Sequence, residues 1–234
     1  MYKQKIYIGS NYGSWRDGKK LLVIGHQIHN QDQELVTYAK EGKDWRPLYE
    51  KKMLELDSKS DHIELMQEVE HGCCSSSEDD SSRNKIWNKP WEKKGNVRTW
   101  TKFGKTIFPL KDFCASNKEY AKLWKQIAYY NYLQYPDVNN AENGMGKDSC
   151  EDFYREGKVY FLELLNCPEI KPDLVILWGA HFYKNACEGF QSIKDDRIWK
   201  YNDIIIVHID HPCTASINNN KELIKEAESL CRCR

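Results

Sequence analysis

The sequence predicts a single α/β domain over residues 1–234, with a central parallel sheet flanked by helices on both faces. Three short apolar runs are continuous rather than alternating, which is typical of strands buried on both faces. They are Lys20–Gly25, Leu174–Gly179 and Asp203–Val207. Helical patterns separate these runs, and alternation of strand and helix favours a parallel sheet. A chain of 234 residues is long enough for one substantial core.

The remaining elements fit between these runs. Ile6–Ser10 is short and β-prone, which predicts an edge strand. Ala128–Leu133 fits either the end of a helix or a buried strand, because short aromatic runs suit both. Capping residues and apolar periodicity predict helices over Asp61–Gly72, Ser116–Leu133, Ser149–Asn166, Ala180–Phe190 and Asn220–Leu230.

Two stretches have unusual composition. Cys73–Ser82 is acidic and of low complexity, with too little apolar surface to pack, so we expect a mobile loop at residues 73–82. Ile86–Phe108 is rich in aromatic residues and cations, among them Trp87, Trp91, Trp100 and Phe103 with Lys93, Lys94, Arg98, Lys102 and Lys105. It is either a surface for single-stranded nucleic acid or a solvated edge of the core.

Composition limits the possible partners. The formal net charge is zero, so no overall basic field attracts nucleic acid, and any DNA contact must come from a local patch. No apolar run approaches the roughly 20 residues of a membrane span, so no membrane association is expected. The nine cysteines are odd in number and scattered, and no secretory signal precedes them. This pattern favours reduced thiols in a cytoplasmic protein over a disulfide framework.

Polar residues follow each predicted strand and should converge on one edge of the sheet. They are His26–Asn30, His181 and His208–Ser216, where the last strand stops in a His-Pro turn. Open α/β sheets bind their ligands at the carboxyl ends of the strands. We therefore expect 25–30 and 207–216 to form two halves of one site.

Four blocks of the sequence resemble the uracil-DNA glycosylase superfamily, and they occur in its order. Asp173–Asn185 and Val207–Ser216 resemble the family's final strand pair, where a strand ending Leu-Trp-Gly precedes one ending His-Pro-Ser-Pro-Leu-Ser. Leu21–Asn30 stands where the family has Gly-Gln-Asp-Pro-Tyr-His or a relative of it. Ile127–Gln134 resembles its Leu-Leu-Leu-Asn strand. The resemblance implies a glycosylase-like fold that acts on an extruded base of DNA.

The resemblance also implies roles for matching residues. His211 would donate to the base oxygen as the glycosidic bond breaks, and Asn131 would read the edge of a flipped pyrimidine. Gln27 lies where the family often has an Asp that positions water. His29 lies where the family has a Tyr that walls the pocket. Gly25, at the start of the same segment, is also counted among the base-binding residues.

The DNA contacts and the aromatic stack follow from the same resemblance. Pro212 and Ser216 would lie beside the DNA backbone. An extruded base also needs an aromatic stack, which Tyr129, Tyr130 or Phe103 could supply; the sequence does not choose among them, and Tyr130 stands in our base-binding set.

The sequence departs from the family pattern at two positions, the residue that positions the attacking water and the residue that wedges into the DNA duplex. Gln27 cannot act as a base, and Ala215 replaces the Leu that wedges into the duplex. His26 is our candidate for the polar group that faces the sugar. Water would attack the sugar carbon without a covalent enzyme intermediate, because no Lys stands at a motif position. We expect a monomer that requires no cofactor and no metal.

Two other functions fit the same residues. The first is a non-catalytic protein of the same fold that binds a base or nucleic acid. The second is a metal-dependent hydrolase, because imidazole and carboxylate groups bind Zn²⁺ and similar ions. Its candidate ligands are His26, His29, His208, Asp210 and His211.

Overall fold

The computed structural model describes residues 6–25, 33–57, 103–108, 124–133, 147–179, 182–210 and 217–231. Their centre is a seven-stranded sheet in the order β1-β3-β2-β4-β7-β6-β5. The strands are β1 (Tyr7–Ile8), β2 (Leu21–Gly25), β3 (Ile127–Asn131), β4 (Leu174–Trp178), β5 (Gln191–Lys194), β6 (Ile198–Tyr201) and β7 (Ile204–Ile209). The helices are α1 (Gln33–Lys40), α2 (Arg46–Asp57), α3 (Lys147–Asn166), α4 (Tyr183–Ala186) and α5 (Ile217–Leu230).

The sheet is mixed, which corrects the prediction of a parallel sheet. The four central strands β3, β2, β4 and β7 are parallel, whereas β1, β6 and β5 join antiparallel at the two edges. The reason lies in the connections. Only two residues separate β6 from β7, and a link that short joins antiparallel neighbours, whereas parallel strands need a long crossover.

The predicted central strands are present, and the ambiguous aromatic run is a strand. β2 and β4 are buried along their whole length, as is β7. Ile127–Asn131 forms β3 because it pairs with β2 through five residues, so tertiary pairing decides between two locally possible conformations. The predicted edge strand is also found, as the two residues of β1.

The predicted helix Ala180–Phe190 is wrong in extent. Helix α4 has only four residues, and the chain then turns into the β5–β6 hairpin. Gly189 has φ +80°, a left-handed conformation that ends a helix and that glycine adopts without strain. Asp195 and Asp196 are the central residues of a turn closed by the bond from the N–H of Arg197 to the carbonyl oxygen of Lys194 at 2.8 Å, and their φ angles of 42° and 48° are those of a type I′ hairpin turn.

Alternate residues of the central strands pack into two clusters, because successive side chains point to opposite faces of a sheet. One cluster contains Leu22, Ile24 and Tyr130 together with Phe161 of α3. The other contains Val23, Ile176, Val207, Ile209, Phe103, Trp178 and Ile224 of α5. Gly157 lets α3 approach the end of β3, since a Cβ there would lie 2.7 Å from the carbonyl oxygen of Tyr132.

Several predictions lie outside the described residues: the helix Asp61–Gly72, the loop 73–82, and all of 86–108 except 103–108. Within the described ranges, no helix combines the length and apolar character needed to cross a membrane.

Candidate functional site at the carboxyl ends of the parallel strands

The four parallel strands end at one level on the same edge of the sheet. Gly25 of β2 is in register with Asn131 of β3 on one side and with Trp178 of β4 on the other. Trp178 is in turn in register with Ile209 of β7. The chain leaves β2 for β3 on one side and then crosses to β4 on the other, so the strand order reverses beside β2. Open α/β sheets bind ligands at such a reversal.

Tyr129 and Asn131 form a polar pair at this edge. They are two residues apart in one strand, so their side chains share a face. The hydroxyl of Tyr129 donates to Oδ1 of Asn131 at 2.8 Å, and both residues are half-buried. A tyrosine hydroxyl is protonated at neutral pH, and burial raises the pKa of Tyr129 further, so its hydroxyl can donate to Asn131. The pair therefore presents an amide whose oxygen is held from one side.

Gly25 makes room for this pair. A Cβ at residue 25 would overlap the hydroxyl of Tyr129 and lie 2.7 Å from Oδ1 of Asn131. The carbonyl oxygen of Gly25 accepts the backbone N–H of Tyr132 at 2.8 Å, which extends the contact between β2 and β3 past the strand ends. The missing side chain of Gly25 thus lets the Tyr129 ring reach the edge of the sheet.

The aromatic candidates for stacking on a base lie on different faces of the sheet. Tyr130 is 3% exposed and packs in the core cluster on the face opposite Asn131. Phe103 is fully buried, with its ring stacked on Trp178 at 4.4 Å and on Trp124 at 6.1 Å between centroids. The structure does not bring Tyr130 to the side of Asn131. The aromatic ring beside Asn131 is that of Tyr129, which also meets Trp178 edge-on at 6.5 Å.

His208 is buried near the end of β7 and uses both ring nitrogens. Nε2 lies 2.7 Å from the carbonyl oxygen of Gly179, and Nδ1 lies 3.0 Å from Nη1 of Arg197. A carbonyl only accepts and a guanidinium only donates, so Nε2 carries the proton and Nδ1 accepts. The ring also stacks on Tyr183 at 4.0 Å. These contacts tie the end of β4 to the end of β7.

Asp210, the last described residue before His211, is held by two other side chains. Arg197 binds its carboxylate through two hydrogen bonds of 2.9 Å, and this pairing lowers the pKa of Asp210. Asn220 of α5 accepts the backbone N–H of Asp210 at 3.3 Å and donates to its carbonyl oxygen at 3.1 Å. The segment that carries His211 therefore begins from a fixed point at the edge of the sheet.

These contacts bear on the metal-binding alternative. His208 would have to give up a hydrogen bond to free a ring nitrogen, and Asp210 would have to leave Arg197. Across the part of the chain that the structure describes, no group of three or more His, Cys, Asp or Glu is placed to hold a metal ion. The described candidate ligands give the metal alternative no support.

A second depression lies between the first half of α3 and the start of α4. It has a volume of about 470 Å³ and is lined by Glu151, Tyr154, Arg155, Lys184, Asn185 and Glu188. Two carboxylates and two cations face it, so its charges offset each other. It contains none of the residues that the sequence analysis assigned to the site.

Of the residues preferred for a glycosylase site, the structure describes Gly25, Asn131 and Tyr130, and it brings the first two together. His26, Gln27, His29, His211, Pro212 and Ser216 lie outside the described residues. Sequence reasoning missed the bond from Tyr129 to Asn131 and the role of Arg197. The two-residue spacing in β3 is a signal for the first, since alternate residues of a strand share a face.

No protein-family model matches the chain, and no curated protein matches it.

Proposed function

We propose that the protein is DNA glycosylase-like, recognising an extruded base and hydrolysing its N-glycosidic bond. In this proposal Asn131 binds the pairing edge of the base at the carboxyl edge of the sheet. His211 donates to the base as negative charge develops on it. DNA is the partner, modified bases are included among the substrates, and the protein acts as a monomer in the cytoplasm without a cofactor.

The observation that carries the proposal is the register of Gly25 with Asn131 and Trp178 at the reversal of the strand order. It supports a ligand site at this edge, because Asn131, to which the resemblance assigns base reading, lies at the end of β3 there. Two strand spacings separate β3 from β4 and one more separates β4 from β7. The edge between Asn131 and Ile209 thus spans roughly 14 Å.

The chemistry requires a donor where negative charge develops. As the glycosidic bond breaks, the base gains electrons and the sugar becomes positive. A preorganised donor at the base oxygen is worth up to about 3–4 kcal/mol of barrier in comparable oxyanion sites. His211 directly follows Asp210. The side chain of Asn220 hydrogen-bonds to both the backbone N–H and the carbonyl oxygen of Asp210, and this anchoring favours a preorganised donor at His211. Gln27 and His26 are the candidates for placing the attacking water.

The second candidate function is base or nucleic-acid binding without cleavage. The observation that favours it is the absence of a carboxylate in 25–30, because Gln27 cannot remove a proton from water. Affinity for DNA without release of any base would support this alternative.

The test is a base-release screen with single- and double-stranded oligonucleotides, each carrying one damaged or modified base. We expect at least one base to be released. His211→Ala and Asn131→Ala should each lower the rate at least tenfold, while Asn166→Ala should not, because that exposed amide lies at the far end of α3. Full activity in His26→Ala would exclude the role assigned to His26. If no base is released and no oligonucleotide binds, the proposal is wrong.

A further inference from the structure

We infer that the depression between α3 and α4 is a binding site for a small zwitterion, in which an ammonium and a carboxylate group are as far apart as the two ends of a dipeptide. The depression has a volume of about 470 Å³, which is within the range of small-molecule sites. The residues that line it are not among those assigned to base recognition, so this site is additional to the proposed function.

The two walls of the depression carry charges with the same spacing. Glu151 and Arg155 lie four residues apart on α3, and Lys184 and Glu188 lie four residues apart on the opposite wall. The helical turn of α4 extends to Glu188, because its N–H bonds to the carbonyl oxygen of Asn185 at 3.3 Å. Helical residues at this spacing share a face, with Cβ atoms about 5–6 Å apart. Each wall therefore presents one cation and one carboxylate at that separation.

These charges are not neutralised by pairing across the depression. Arg155 pairs with Asp152 at 3.1 Å, and both side chains are largely exposed, so the pair is weak. Among the residues that the structure describes, the side chains of Glu151, Lys184 and Glu188 take part in no hydrogen bond or ion pair. Both signs of charge are thus available to one ligand.

Asn185 adds a donor of fixed orientation. The hydroxyl of Tyr132 donates to Oδ1 of Asn185, and Tyr132 is only 1% exposed, so core packing holds that hydroxyl in place. With its acceptor end turned to the buried Tyr132, the amide keeps its Nδ2 donors for the depression that Asn185 lines. A carboxylate, which only accepts, can bind there beside the ammonium of Lys184.

The two walls are also tied to each other. Nζ of Lys158, on α3, donates to the carbonyl oxygens of Ala186 at 2.6 Å and of Glu188 at 2.8 Å. The same ammonium lies 4.2 Å from the centroid of the Phe190 ring. Because these contacts fix the segment after α4 against α3, a ligand does not have to order the walls when it binds.

The arrangement of charges suits a zwitterion better than a nucleic acid. A DNA strand would bring only negative charge towards Glu151 and Glu188, which is repulsive. A dipeptide has one charge of each sign, and its ends are roughly 6–7 Å apart because an extended residue spans about 3.3–3.6 Å. An amino acid carries both charges on one carbon, too close together to reach the cation and the carboxylate of one wall. We assign the ligand's carboxylate to Lys184 and Asn185, and its ammonium to Glu188.

The experiment is an NMR titration of the side-chain amide signals of Asn185, assigned by comparison with Asn185→Ala. The ligands are diglycine, glycine with its adjacent charges, N-acetyldiglycine with only the carboxylate, and diglycine amide with only the ammonium. The proteins are the wild type, Lys184→Gln, Glu188→Gln and the control Lys194→Gln, whose exposed ammonium pairs with Glu226 of α5. Lys184 and Glu188 are exposed, so their variants should fold. Fluorescence anisotropy of a labelled single-stranded oligonucleotide, with and without diglycine, tests the nucleic-acid alternative.

We expect diglycine to shift the Asn185 signals saturably, with a Kd at or below about 1 mM, and the other three ligands to bind at least about tenfold more weakly. Lys184→Gln and Glu188→Gln should each weaken diglycine binding about two- to fivefold, while Lys194→Gln should not. The anisotropy of the oligonucleotide should be the same with and without diglycine.

Three results would overturn the zwitterion site. The first is the absence of a saturable shift with diglycine up to about 10 mM, and the second is equal binding of glycine or of either capped peptide. The third is wild-type affinity in both Lys184→Gln and Glu188→Gln, or an equal loss in Lys194→Gln. Displacement of the oligonucleotide by diglycine would assign the depression to DNA instead.

Discussion

Gly25→Ala should damage the candidate site while leaving the rest of the fold in place. The added Cβ would overlap the hydroxyl of Tyr129 and lie 2.7 Å from Oδ1 of Asn131 and 3.0 Å from Cζ of Tyr129. Overpacking of this kind in a well-packed region destabilises by about 1–3 kcal/mol. Because the Tyr129 ring has to move, its bond to Asn131 should be lost, and base binding should fall by at least tenfold.

The origin of the effect can be isolated with a double-mutant cycle. Tyr129→Phe removes the atom that the new Cβ would overlap, so Gly25→Ala should be less destabilising in that background by about 1 kcal/mol or more. The assay is urea unfolding under reducing conditions, followed by tryptophan fluorescence. Gly189→Ala is the matched control. Its φ of +80° makes the substitution strained by about 1–2 kcal/mol, although nothing lies within 4 Å of its Cβ.

The control separates loss of stability from loss of the site. Gly189→Ala should be destabilised to a similar extent and keep its base binding, whereas Gly25→Ala should lose it. If Gly25→Ala binds the base as the wild type does, Tyr129 and Asn131 do not form the site. If the cycle shows no coupling between residues 25 and 129, the overlap does not cause the destabilisation.

Two further predictions concern the end of β7, and a third concerns metal ions. Arg197 holds the pKa of Asp210 below its usual 3.8, so the ion pair contributes fully above that pH and is lost as pH falls through the lowered value. The carboxylate is 48% exposed, so this loss should amount to less than about 1 kcal/mol of the free energy of unfolding. Asp210→Asn should reduce the fall of the unfolding free energy at acid pH by that amount. The same fall in the variant as in the wild type, measured by urea unfolding at a series of pH values, would contradict this. His208→Ala removes bonds to Gly179 and Arg197 and the stack on Tyr183, so unfolding free energy should fall by roughly 2–4 kcal/mol; a change under about 1 kcal/mol would disagree. Base release should survive a chelator, and loss of activity that added Zn²⁺ restores would instead support the metal-dependent hydrolase.

The central strands could be predicted because their sequence is continuous and apolar. β2, β4 and β7 are buried throughout, and few other arrangements accept such runs. The β5–β6 hairpin could have been found from Asp195-Asp196 between two short β-prone segments. Neither β5 nor β6 was recognised as a strand, and the antiparallel edge that they form beside β7 was therefore missed.

The candidate site was predictable in its location and less so in its contacts. Strand ends and the order of the chain place Gly25 and Asn131 at one edge, and both follow from general rules for α/β sheets. The choice between Tyr129 and Tyr130 depends on which face of β3 each residue occupies, and the run of aromatic residues hides that alternation. Arg197 reaches Asp210 only because the hairpin folds back beside β7, a long-range contact that local patterns do not encode.

The most direct measurement of the central claim is an NMR titration of the side-chain amide of Asn131 with an abasic strand that carries one uracil. The two N–H signals of Asn131, assigned by comparison with Asn131→Ala, should shift and saturate together with anisotropy. The amide signals of Asn166 and Asn185 should stay in place. Saturable shifts at Asn185, beside the depression at α4, with Asn131 unchanged, would contradict a base site at the edge formed by Gly25, Asn131 and Trp178.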